Sequence, residues 1–221
     1  MVAIIYQDNS ILVINKPAGL SSLPDGYDPT LPHVRSLLEP EFGRLWMVHR
    51  LDKETSGILV LARSTSAHKY LNDQFANREI QKVYSALVNG VFPQTLSINF
   101  PLKINGDRRH RTILDEKNGK LANTDFQLAD VYSCSTSLIN AFPHTGYTHQ
   151  IRSHLLSAGF PILGDPLYYT PDSKIFSAQL PIQRTALHAQ QITFLHPDTQ
   201  IKVTFSADLP QDFLDTIAYF K

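Results

Sequence analysis

The feature that most constrains this chain is that its short β-rich runs follow one another without helices regularly spaced between them. Residues 3–6, 11–14, 58–62, 82–88, 124–131, 135–141, 191–195 and 201–205 carry the β-branched, alternating or wholly apolar pattern of strands. Parallel neighbours need a crossover of about a dozen residues, usually helical, and that βαβ rhythm is missing. The first two runs are separated by Gln7-Asp8-Asn9-Ser10, a turn-forming cluster, and read as a hairpin. Pro, Gly and Ser punctuate residues 15–32 as a loop, with a short helix predicted at 33–38. A clearer helix follows, where Ala67, Tyr70, Leu71, Gln74 and Phe75 share a face behind N-cap candidates Ser64 to Ser66. A last helix, 212–220, stripes Phe213, Leu214, Ile217 and Ala218. The expected class is α+β: a single domain over residues 1–221, with a mixed, mainly antiparallel β-sheet flanked by helices and loops.

Composition narrows the class of function. With 221 residues, 43% hydrophobic and 18% charged, the chain is neither a disordered segment nor a stapled miniprotein. Its apolar runs reach about five residues where a spanning helix needs about twenty, so no membrane partner is expected. No basic residue precedes Lys16 and no secretory signal is visible, which makes the cytoplasm the expected compartment. The single cysteine, Cys134, excludes an internal disulfide and reads as a small packing residue in a strand-like stretch. Twenty Lys and Arg balance twenty Asp and Glu, yet not evenly. Between Arg44 and Lys120, thirteen basic residues face seven acidic ones, a local +6 that a polyanionic partner could use.

Three polar clusters stand where packing does not ask for them: residues 49–57 (His-Arg-Leu-Asp-Lys-Glu-Thr-Ser-Gly), Lys82-Val83-Tyr84, and residues 145–154. The first precedes the apolar run at 58–62, and its Asp52 is the candidate nucleophile or general base. A metal centre is not expected: His144, His149 and His154 are spaced by five, about 140° apart per step on a helix, so they cannot share a face. No nucleotide fingerprint is present, and no cofactor is expected.

These clusters resemble the RluA-like family of RNA pseudouridine synthases. Residues 49–57 match its H-R-L-D-x-x-T-S-G motif and Asn15-Lys16-Pro17-Ala18-Gly19 its N-K-P-x-G loop. Lys82-Val83-Tyr84 matches K-x-Y, residues 119–124 match G-K-x-A-x-T, and residues 148–154 match T-H-Q-I-R-x-H. Pro161-Ile162-Leu163-Gly164-Asp165 and Leu187-His188-Ala189 complete the order, over nearly the whole chain. Many members carry an extra RNA-binding domain before the catalytic one; this chain opens on the catalytic domain.

The resemblance implies a cofactor-free isomerisation of uridine to pseudouridine in a structured stem-loop of tRNA or large-subunit rRNA, by a monomer. The uridine must leave its stack, and Arg50 matches the arginine that helps displace it. Asp52 matches the catalytic aspartate, by attack on the sugar carbon or by taking a sugar proton, and Arg152 matches the arginine paired with it. Tyr84 matches the tyrosine lying against the base. Lys16, Pro17, Lys82, Thr148 and His149 are implied as substrate-binding, with His149 and His154 also holding the Arg152 segment. Arg108, Arg109 and Arg111 form the densest basic patch and are expected to clamp phosphate. One position departs from the pattern: Tyr147 stands where G-R-T-H-Q has arginine. Two other classes were weighed. A binding module that kept the fold and lost the chemistry would suit zero net charge but not the intact catalytic residues. A glycoside hydrolase would want two opposed carboxylates, and only Asp52 has a motif behind it.

Overall fold

A computed structural model describes residues 2–26 and 28–221. Tyr27, within the stretch read as a loop, lies outside them. In chain order the elements are β1 (Ala3–Gln7), β2 (Ile11–Lys16), α1 (Val34–Phe42), β3 (Trp46–Met47), β4 (Ser56–Ala62), α2 (Thr65–Ala76), β5 (Gln81–Asn89) and β6 (Thr95–Lys103). There follow β7 (Ile113–Leu114), β8 (Lys120–Tyr132), β9 (Thr136–Pro143), α3 (Gln150–Ser157), α4 (Pro171–Ser177), β10 (Leu187–Leu195), β11 (Lys202–Ser206) and α5 (Gln211–Phe220). The α+β class and the mainly antiparallel pairing are as expected, with one isolated parallel bridge between Ser21 and His33. None of the helices is long and apolar enough to cross a membrane.

The chain divides into two compact units, each with its own core: residues up to Lys82 with Ala189–Asp208, and Val83–His188 with Leu209–Lys221. In the first, the strand order is β1-β2-β4-β10, with β3 on β4 and β11 on β10. Strand β4 is buried at every position, which is why its sequence shows no polar alternation. Its antiparallel register with β2 runs from Ile11 opposite Ala62 to Lys16 opposite Gly57, so the end of β2 lies beside the start of β4. Helix α2 begins as its sequence predicts, the Ser64 hydroxyl accepting from Ala67 N at 3.1 Å. Gln74 on its inner face is polar for a reason: its amide exchanges two hydrogen bonds with the backbone of Leu195, 2.9 and 2.8 Å, docking the helix on β10. Ile11, Val13, Ile58, Val60, Leu71 and Phe194 fill this core.

In the second unit the order is β5-β9-β8-β6-β7, with Leu87, Phe126, Ile139, Leu155 and Phe213 in the core. Burying each such side chain contributes about 1.5–3 kcal/mol. Strand β6 escapes the sequence reading although residues 95–100 alternate, because Pro101 interrupts the pattern. Its ladder with β8 carries Pro101 opposite Leu121. Helix α3 was also unread, being too short for a periodic signal. Cys134 corrects an expectation: it is exposed, at φ 56° in the turn joining β8 to β9. The alternation on either side made residues 132–136 look like continuous strand, whereas Tyr132 pairs with Thr136 and the three residues between them turn the chain.

Candidate active site

In the first unit the register of β2 against β4 sets two loops side by side, 17–22 leaving β2 and 48–55 entering β4. They are tied on both sides of Asp52. The Ser22 hydroxyl donates to Leu51 O at 2.8 Å and accepts from Leu51 N at 3.1 Å. Beyond the aspartate, Lys53 O accepts from Gly19 N at 2.8 Å and from Lys16 Nζ at 3.1 Å. Lys16 Nζ also donates to Pro17 O and Leu20 O, at 2.9 and 2.8 Å, and the residue is fully buried. Read from sequence as substrate-binding, Lys16 sits inside the protein with its charge spread over its own backbone carbonyls, and from there it holds the loop. Pro17 beside it is exposed. Asp52 O accepts from Thr55 N at 3.1 Å, closing a turn that leaves the Asp52 side chain half-buried. Gly57 must be glycine: at φ +115° an added Cβ would stand 2.2 Å from Ala189 O.

His49, first in the motif, is a support. Its Nε2 accepts from Val60 N at 3.0 Å and its ring stacks on Phe75, centroids 5.0 Å apart. Burial first, and then the positive charge of Lys82, hold its pKa down to about 3, so the ring is neutral with its proton on Nδ1. Arg50 is exposed. Lys82 on β5 is half-buried, and its removal from water lowers its pKa to about 8, so its charge titrates just above neutrality.

The second unit holds Tyr84 and Arg152. Tyr84 lies on β5 opposite Ala141 of β9, half-buried. Arg152 on α3 is buried and forms a two-pronged pair with Asp165, Nε to Oδ2 at 2.7 Å and Nη2 to Oδ1 at 2.8 Å, the two side chains 5% and 0% exposed. The Tyr168 ring lies under the guanidinium, 4.9 Å from centroid to Cζ. Asp165 Oδ1 also accepts from Leu167 N and Tyr168 N, both at 2.9 Å. The Tyr168 hydroxyl accepts from Thr112 N at 2.6 Å and lies 3.1 Å from His149 Nδ1, while Thr112 Oγ1 donates to Thr148 O at 2.7 Å. Burial pushes the Tyr168 pKa up to about 12, which keeps its proton on the oxygen. The structure thus gathers Thr148, His149 and Arg152 around Asp165, Tyr168 and Thr112. The sequence reading assigned no role to those last three. Asp165 was visible in the motif at 161–165, but no spacing rule joins it to a helical arginine thirteen residues earlier.

Gln150 explains the rest of this motif. Its Oε1 accepts from Thr145 Oγ1 (2.8 Å) and Tyr147 N (3.1 Å), and its Nε2 donates to Asn123 O (3.0 Å) and Thr124 Oγ1 (2.9 Å). Thr124 Oγ1 in turn meets Nδ1 of the buried His154 at 3.0 Å. Burial lowers the His154 pKa to about 4, so the hydroxyl donates to a neutral ring. The two motifs 119–124 and 148–154 are therefore one hydrogen-bonded unit that starts α3 from a left-handed His149, φ 55°. Tyr147 is half-buried just ahead of it. Among the three arginines of the 107–111 loop, Arg111 is engaged, with Nε on Asp107 Oδ2 at 2.7 Å and Nη1 on Leu167 O at 3.2 Å, whereas Arg108 and Arg109 are exposed. Among the described residues no cluster of metal ligands occurs.

A family model described as RNA pseudouridylate synthase matches residues 10–157. The chain belongs to the RNA pseudouridylate synthase family. It is 38% identical over 205 residues to the dual-specificity RNA pseudouridine synthase RluA of Haemophilus influenzae, covering 92% of this chain and 91% of that protein. To RluA of Escherichia coli K12 it is 34% identical over 213 residues, 96% of this chain and 94% of that one. The fold is similar to the solved structure of human RNA pseudouridylate synthase domain containing 1, with a TM-score of 0.79 at 24% identity, covering 94% of this chain and 83% of that one. As a member of this family the protein is an RNA pseudouridine synthase, an isomerase that modifies RNA.

Proposed function

We propose that the protein converts a specific uridine in a structured stem-loop of tRNA, large-subunit rRNA or both, with Asp52, Tyr84 and Arg152 as its catalytic residues. Dual specificity is what the names of the RluA relatives state, at 34–38% identity over more than nine-tenths of this chain. The observation that carries the site assignment is the double clamp on Asp52: backbone groups of the residues before and after it are bound by Ser22, Gly19 and Lys16. A turn built only to reverse the chain has no need of a buried lysine; a carboxylate that must meet one sugar atom does.

By the motif match, Asp52 attacks the sugar carbon or removes a sugar proton, Arg152 is its counter-ion, and Tyr84 offers ring and hydroxyl to the base. Arg50, exposed at the start of the same loop, fills the place of the extruded base. Lys82, Pro17, Thr148 and His149 contact the substrate, and Arg108 and Arg109 its phosphates. All three catalytic residues come from one chain, which supports a monomer. The motifs occur in both compact units, which supports reading residues 1–221 as one catalytic domain. An RNA substrate of this class places the work in the cytoplasm. The test is a pseudouridine map of total RNA from cells with and without the gene. Loss of sites in a tRNA or large-subunit rRNA stem-loop, restored by the wild-type gene and not by Asp52→Asn, is the expected result; an unchanged map refutes the reading.

A further inference from the structure

Residues 166–169 carry two adjacent tyrosines used in opposite ways. Tyr168 is buried under Arg152, and Tyr169, half-buried, meets two cations from different segments. Arg109 of the 104–112 loop lies 5.4 Å from the Tyr169 ring centroid and Lys174 of α4 lies 4.7 Å from it. Arg109 adds only long contacts, Nη1 to the Tyr169 hydroxyl at 3.4 Å and Nη2 to Pro166 O at 3.5 Å, so most of its donors remain for another acceptor. Nearby acids are already taken: Asp107 by Arg111, and Asp165 by Arg152. Asp172 in the first turn of α4 makes no ion pair with Lys174, and among the described residues no carboxylate stands within ion-pair distance of Arg109 or Lys174. Arg108, the next residue in the loop, is exposed as well.

Two like charges drawn onto one ring repel each other unless an anion joins them. The loop that brings Arg109 is held in place from within: Arg111 is pinned by Asp107 and Leu167 O, and Thr112 N by the Tyr168 hydroxyl. Arg109 is therefore presented on a braced loop, as a preformed donor should be.

We propose that Arg109, Tyr169 and Lys174, with Arg108 beside them, form a binding site for a backbone phosphate of the substrate RNA. The inference rests on the RNA-modifying reading and adds Tyr169 and Lys174 to it. Arg109 supplies a planar fork for two phosphate oxygens, Lys174 a point charge, and Tyr169 holds the two at a fixed separation while its hydroxyl can donate to a third oxygen. Such a contact positions the RNA without sharing in the bond chemistry.

The experiment uses the whole protein and a uridine-bearing stem-loop transcript that the wild type modifies. It measures affinity at a series of salt concentrations and the rate at saturating RNA. For Arg109→Ala with Lys174→Ala, the slope of log affinity against log salt should become shallower by roughly 1.4–1.8, two contacts at about 0.7–0.9 each. Affinity at low salt should fall about tenfold or more, and the saturated rate should hold within twofold. Tyr169→Leu should weaken binding severalfold, and Lys202→Ala, an exposed lysine on β11, should change neither slope nor affinity. Unchanged slope and affinity in the double variant, with wild-type turnover intact, overturn the site and leave the enzymatic reading standing. A wild type that forms no pseudouridine in any tRNA or rRNA transcript overturns both. If inorganic phosphate competes with RNA more strongly than chloride at equal ionic strength, and does so only when Arg109 and Lys174 are present, the site takes free phosphate and the RNA assignment is wrong.

Discussion

Asp165→Asn tests how Arg152 is positioned. The native carboxylate accepts four hydrogen bonds, two from the guanidinium and one each from Leu167 N and Tyr168 N. Asparagine keeps one oxygen, which can serve the two amides, and turns an NH₂ toward the guanidinium where an acceptor is needed. Because the pair is 5% and 0% exposed, water cannot replace the lost partner. Removing one member of such a pair costs about 3–5 kcal/mol, and in a chain of this length each kcal/mol lowers the melting midpoint by about 2–4 °C. The midpoint should therefore fall by roughly 6–20 °C. The Arg152 plane, no longer fixed by a fork, should lose orientation, so single-turnover pseudouridine formation at saturating RNA should drop at least tenfold below the variant's melting range, while RNA affinity stays within a few-fold. Arg152→Lys, which supplies a single prong, should move both readouts in the same direction. A loss of less than 1 kcal/mol together with a rate within twofold of wild type would refute the reasoning, since it would mean that the fork neither supports the fold nor sets the arginine.

Three further outcomes follow from the same structure. Ser22→Ala removes the donor and acceptor that brace Leu51; it should cost about 1–3 kcal/mol by chemical denaturation and lower the rate more than the affinity, and equal rates would show that the brace does not govern Asp52. Gly57→Ala should fail to give folded protein on expression, because its Cβ would sit 2.2 Å from Ala189 O; a folded, active variant would show that β4 can shift there at little cost. The third concerns pH: His49 and His154 have folded pKa values of about 3 and about 4 against an ordinary 6.5, so the unfolded chain binds more protons between those limits. Their contribution is full above pH 6.5 and fades as the pH falls toward 4. Urea midpoints should drop steadily from pH 7 to pH 4, by an amount of order 3 kcal/mol for His154, and a flat profile in which His154→Asn behaves as wild type would contradict its burial as a neutral ring.

Much of this molecule is legible in its residues alone. The hairpin at 3–16, the buried run at 58–62 and helix α2 with its Ser64 cap are local events, decided by periodicity, turn chemistry and capping within a dozen residues. The ordered motifs likewise point to Asp52, Tyr84 and Arg152, because a reaction that needs a carboxylate, a ring and a cation leaves those residue types in recognisable company. What the tertiary structure decided are the partners. That Lys16 faces inward, that Gln74 and Gln150 serve backbone and threonine rather than solvent, and that Asp165 forks Arg152 are all set by which distant segments meet. The exposure of Cys134 depends in the same way on where one strand stops and its neighbour begins. A side chain's hydrogen-bond partner is chosen by three-dimensional register and by the burial that makes an unmet donor costly. Neither is a property of any short window of sequence, so the chemistry could be named from the chain while the scaffolding that aims it could not.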